Sequence, residues 1–109
     1  MTEVDAKEIM LARLAALEEE DRLGREGQKI VTLDQQAVGR LSRMDALQSQ
    51  AMAQAQAGRR AAERRRLQAA LARLAEGEWG DCLDCGDKIG AARLAQDPTA
   101  PKCLSCARG

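Results

Sequence analysis

The sequence predicts a mainly α fold: an antiparallel helical hairpin of coiled-coil type whose long second helix leads into a small C-terminal four-cysteine module. Three observations predict it. An N-terminal stretch places Met10, Leu14 and Leu17 at helical spacing; residues 35 to about 76 contain no proline and only two glycines; and two Cys-x-x-Cys pairs stand seventeen residues apart near the end.

The first helix is expected from about Asp5 to Leu23, with Leu11 and Ala15 widening its apolar stripe. Thr2 or Asp5 is suited to cap its start, and Gly24 and Gly27 to mark its end. Gln28–Leu33 carries β-branched residues but has no second run to pair with, so it reads as an extended connector. Asp34 then stands where an N-cap belongs, and the second helix starts from Gln35. At 1.5 Å rise per residue, some 40 helical residues span roughly 60 Å, more than a small globule can surround. A covering partner is therefore needed. The expected seam on helix 2 runs through Ala37, Leu41, Met44, Gln48, Ala51, Ala55, Gly58 and Ala62, with Leu11, Leu14 and Leu17 packing on the N-terminal half of that helix. The expected organisation is a hairpin over 1–76 with its tip near 24–37, then a module over 77–109 against which Leu67, Leu71 and Leu74 pack.

Composition removes whole classes of function. The chain has 109 residues, 21 of them alanine, no Phe, no Tyr and a single Trp, Trp79. Nucleic-acid modules that stack bases on aromatic platforms are therefore disfavoured. There is no histidine, which excludes Ser-His-Asp and Cys-His sites and removes the commonest general acid-base group, so the protein is read as a non-enzyme. The 17 basic and 17 acidic residues balance, without the basic excess of a chain that coats DNA. Locally, 7 basic and 10 acidic residues in 1–58 give −3, and 10 and 7 in 59–109 give +3. The cluster Arg59-Arg60-Ala61-Ala62-Glu63-Arg64-Arg65-Arg66 reads as a solvated face with Glu63 pairing to an arginine, or as a contact for an acidic or phosphate-bearing partner. No apolar run approaches the roughly 20 residues of a membrane span, and Glu3, Asp5 and Glu8 do not fit a signal peptide. A cytoplasmic location is expected.

In a reducing compartment, four cysteines point to metal. Cys82-Leu83-Asp84-Cys85 and Cys103-Leu104-Ser105-Cys106 form two knuckles whose facing sulfurs supply four thiolates to one structural Zn2+. Gly86 supplies the positive φ that such a turn requires. With all four positions filled, no site remains for a catalytic water. A thiol–disulfide pair or an iron–sulfur cluster is the alternative. Two pairs without a βαβ context fit the former poorly. Ile89, Ala92 and Leu94 are expected to form a short helix that packs on Leu71, Leu74 and Trp79 and is ended by Pro98 and Pro101.

The interior of this segment, Cys82-x-x-Cys85-Gly86-x-x-Ile89-Gly90-x-x-Arg93-Leu94-x-x-x-Pro98-x-x-x-x-Cys103-x-x-Cys106, closely resembles the DksA/TraR C4-type zinc-finger family. Upstream the likeness rests on the helix plan and on Leu33–Asp45. The resemblance implies a transcription regulator that binds RNA polymerase directly and inserts its coiled-coil tip into the secondary channel, in many members together with ppGpp. It implies no sequence-specific DNA binding; no membrane partner is expected from the apolar pattern, and a monomer is the expectation. The family's best-known tip motif, Asp-x-x-Asp-x-Ala, does not occur here. Asp34 with Ala37, and Asp45, are the tip candidates, with Arg40 and Arg43 beside them as groups for acidic surfaces of polymerase. The alternatives are a zinc-ribbon DNA-binding protein using the arginine cluster, or a zinc-stabilised interaction adaptor.

Overall fold

The computed structural model describes the backbone of every residue except Gly39, and side chains outside 28–42. Four helices occur among the described residues: α1 (Glu3–Val38), α2 (Arg40–Ala75), α3 (Ala91–Gln96) and α4 (Leu104–Arg108). They form the predicted helical hairpin and cysteine module, in two compact units, Met1–Leu14 with Arg64–Gly109, and Ala15–Glu63.

Both candidate caps of α1 act together. The Asp5 backbone N–H donates to Thr2 Oγ1 at 3.1 Å, and the Thr2 N–H donates to Asp5 Oδ2 at 3.2 Å. This reciprocal pair meets two of the donors a helix start leaves open, and the Thr2 N–H holds the Asp5 carboxyl below its ordinary pKa.

The far end of α1 differs from expectation. Gly24 and Gly27 do not end it, 28–33 is not an extended connector, and Asp34 is not an N-cap: the backbone stays helical to Val38. A glycine inside a helix costs only about 1 kcal/mol relative to alanine, a penalty that neighbours can absorb. Here Arg22 reaches back to Glu19 and forward to Glu26, at 2.8 Å, holding the turns on both sides of Gly24. The residues assigned to the tip at 24–37 are thus the last turns of α1, which ends at Val38, and α2 begins at Arg40.

The seam also differs. Met44 is 70% exposed, and Gln48, Ala51, Ala55 and Gly58 all face solvent, while Ala62 is half-buried; Ala37 and Leu41 have side chains outside the described set. The line of α2 turned inward instead runs every seventh residue through Ala46, Ala53, Arg60, Leu67 and Leu74. On an alanine-rich helix several faces carry small residues at heptad spacing, so spacing alone does not select one. On α1 the expected Met10, Leu14 and Leu17 stripe does face inward, with Met10 and Leu17 fully buried, while Leu11 is about half exposed. In the second unit Asp21 of α1 meets Arg60 of α2 at 2.6 Å, just past the middle of α2 and not on its N-terminal half.

At its C-terminus α2 stops on schedule. The Glu78 N–H donates to the Arg73 carbonyl at 2.8 Å and the Gly77 N–H to the Leu74 carbonyl at 3.2 Å, with Gly77 at φ +77°. This is the Schellman closure, and its left-handed residue favours glycine.

Truncation of Leu17 to alanine should destabilise the fold by about 2–4 kcal/mol, because a fully buried leucine leaves a cavity. Leu47→Ala, at a site 60% exposed, should stay within about 0.5 kcal/mol of wild type. Urea unfolding followed by circular dichroism distinguishes them.

Candidate metal centre

The C-terminal segment builds its centre from two chain reversals. In the first, the Cys82 N–H donates to the Asp87 carbonyl at 2.8 Å and the Gly86 N–H returns to the Cys82 carbonyl at 3.0 Å. Gly86 adopts φ +77°, the conformation expected of it. An isolated antiparallel bridge between Asp81 and Lys88, with their side chains paired at 2.9 Å, closes the base of the knuckle. In the second reversal Cys103 precedes α4 and Cys106 lies in its first turn, which swings both sulfurs to the same side.

Three ties bring the knuckles face to face. The Leu83 N–H donates to the Pro101 carbonyl at 2.9 Å, Lys102 Nζ pairs with Asp84 at 3.1 Å, and Arg93 Nε donates to the Lys102 carbonyl at 3.0 Å. The four Sγ atoms consequently lie within 4.8 Å of one another, and Cys85 and Cys103 sulfurs are 3.7 Å apart. Tetrahedral zinc with Zn–S bonds of about 2.3 Å requires sulfurs about 3.8 Å apart. The cysteines are positioned to bind one metal ion, and the donor set is that of zinc.

The electrostatics fit a cation. Backbone N–H groups of Cys85 and Cys103 directed at the Cys82 sulfur pull its thiol down to about 6. The Cys106 thiol is pushed up by the crowding sulfur of Cys103 and then by those of Cys82 and Cys85. At Cys85 the Asp87 N–H favours the thiolate, but the adjoining sulfurs of Cys82 and Cys103 and burial outweigh it, and the net shift is upward. Sulfurs this close resist carrying four negative charges together, and a divalent ion removes that obstacle.

Around the sulfurs, Cys82, Ile89, Leu94 and Ala100 form the buried cluster, with Trp79, Cys103 and Cys106 packed on it. Trp79 and Leu94 are where the sequence suggests; Ile89 precedes α3 instead of lying in it, and α3 ends at Gln96, before Pro98. Sequence reasoning missed the polar scaffold. Trp79 Nε1 donates to the Pro98 carbonyl at 2.8 Å, Arg73 to the Thr99 carbonyl at 3.3 Å, and the buried Thr99 hydroxyl to Asp97 at 2.6 Å. The family-like Pro98 position signals one of these contacts, and Arg93 the tie to the Lys102 carbonyl, without revealing their geometry.

The tip candidates are not brought to this centre. Asp34 and Ala37 lie in the last turns of α1 and Arg40 opens α2, with side chains outside the described residues; Asp45 is exposed on α2, as is Arg43. In the arginine cluster Arg59, Arg65 and Arg66 are exposed, whereas Arg60 is turned inward.

Residues 77–109 match the family model described as the prokaryotic dksA/traR C4-type zinc finger. The resemblance carried by the cysteine spacing therefore holds over the whole finger. The fold of the chain is similar to that of the transcription factor DksA2 from Pseudomonas aeruginosa, with a TM-score of 0.86 at 19% identity, covering 97% of this chain and 80% of that one. No curated protein sequence matches the chain.

Replacing Cys103 by serine should abolish stoichiometric zinc binding, read by metal analysis of the purified protein, and chelation of wild type should melt the finger. Because ligands must shed protons to bind, zinc should be retained at neutral pH and released on acidification, which a colorimetric zinc indicator reports. Gly86→Ala should cost about 1–2 kcal/mol from the backbone alone, since no atom beyond the adjoining residues lies within 4 Å of the added carbon.

Proposed function

We propose that the protein is a cytoplasmic, non-enzymatic transcription regulator that binds RNA polymerase directly and acts by inserting the hairpin tip into the secondary channel. The observation that carries this reading is the pairing of a DksA-type zinc finger with a helical hairpin in one fold similar to that of a transcription factor. A two-helix hairpin is narrow, about 10–12 Å per helix with side chains, so it enters a cleft that excludes a globular domain. The finger, on this reading, contributes stability, not chemistry.

On this reading the acidic groups at the tip act by charge near the polymerase catalytic region. Asp34 and Asp45 each stand within two helical turns of the Val38–Arg40 junction, one on α1 and one on α2, with Ala37 and Arg40 between them. The balanced charge and the absence of stacking aromatics support a protein surface over DNA as the partner.

Competition with a known secondary-channel binder for purified core polymerase tests the proposal, with zinc content measured in parallel. Mutual exclusion is expected. Asp34→Asn and Asp45→Asn should leave binding within a few-fold of wild type, and the residue that acts at the tip should lose its effect on transcription in vitro, with and without ppGpp. Simultaneous binding of both proteins would refute channel insertion. Transcription effects that survive the double substitution would refute the acidic tip.

A further inference from the structure

Arg60 occupies an inward position of the alanine-rich α2, in line with Ala46 and Ala53, where a hairpin ordinarily carries an apolar residue. Its Nε donates to Asp21 Oδ1 at 2.6 Å, and the two side chains are only 17% and 20% exposed. Opposite it lies Gly24, where a Cβ would be 3.0 Å from Arg60 Nη2, tighter than ordinary contact. Three residues, from two helices, thus form a polar contact among inward apolar residues such as Leu17, Ala46 and Ala53.

Such a contact is costly to bury, and apolar side chains of similar volume commonly stabilise as well or better. What it supplies is selection. The small residues of α2 offer more than one face for pairing, the line of Met44, Ala51 and Ala55 being as regular as the one used. The alanine-rich faces of α2 distinguish poorly between registers, or between pairing with α1 of the same chain and of another. A charged group at an inward position distinguishes more strongly, because a slipped pairing separates it from the carboxylate it meets in the native register. We propose that the Asp21–Arg60 pair, seated over Gly24, is a register lock that selects the intramolecular hairpin over slipped and intermolecular pairings.

The test uses the full zinc-loaded chain in three forms: the apolar replacement Asp21→Leu/Arg60→Leu, each single charge reversal, Asp21→Arg or Arg60→Asp, and the charge-swapped double. Sedimentation equilibrium reads association, and amide NMR reads the number of conformers in Ala15–Glu63. The leucine pair should unfold at a temperature equal to or above wild type yet show dimers or a second set of amide signals. The single reversals should show the same heterogeneity, and the swapped double should return to one monomeric species. A leucine pair that remains a single monomeric conformer overturns the proposal. Should the leucine pair fail to fold, the reversals decide: heterogeneity cured by the swap supports the lock, and single reversals indistinguishable from wild type overturn it.

Discussion

The convergence of four sulfurs within 4.8 Å is the constraint on which the C-terminal third depends. That segment has one aromatic residue and a cluster of four buried residues, one of them a ligand itself. So small an apolar cluster cannot offset the entropy of ordering some thirty residues, and metal coordination contributes what the side chains do not. The polar scaffold arises from the same need. Asp84 with Lys102, and Arg93 with the Lys102 carbonyl, hold the knuckles at the separation the ion requires.

The helical part works under a different constraint, a shortage of bulky apolar residues. Met10 and Leu17 are the largest fully buried side chains, and much of the rest of the packing surface is alanine. A seam of that kind tolerates close approach of the helices but provides little information about which faces should meet. The inward guanidinium of Arg60 and the space left by Gly24 supply that information by polarity and shape.

This division explains what was legible in the sequence. The metal centre was, because ligand spacing is a covalent property of the chain and survives any error in the surrounding secondary structure. So were the caps at Thr2 and Asp5, the inward stripe of Met10 and Leu17, and the end of α2 near Glu76, all of which are local. The course of α1 beyond Gly24 was not. Local propensity at two glycines and a β-branched stretch favoured a break, whereas the backbone stays helical to Val38, with the Arg22–Glu26 pair bridging Gly24. The face of α2 was misread for a related reason: Ala51 and Ala55 look as suitable for packing as Ala46 and Ala53, and the deciding contact joins residues thirty-nine apart. An arginine counted as part of a basic cluster gave no sign that it points inward.

Arg73 is used twice, its carbonyl receiving the Glu78 N–H and its guanidinium reaching the Thr99 carbonyl. The last turn of a helix ordinarily frays independently of the next segment of chain. Here the same residue ends the helix and grips the finger, so fraying of that turn releases Thr99, and loosening of the finger removes a restraint on the turn. Amide exchange at the end of α2 is thereby tied to the metal-bound state of a centre in another part of the sequence, and the helix terminus becomes a reporter of whether the finger is intact.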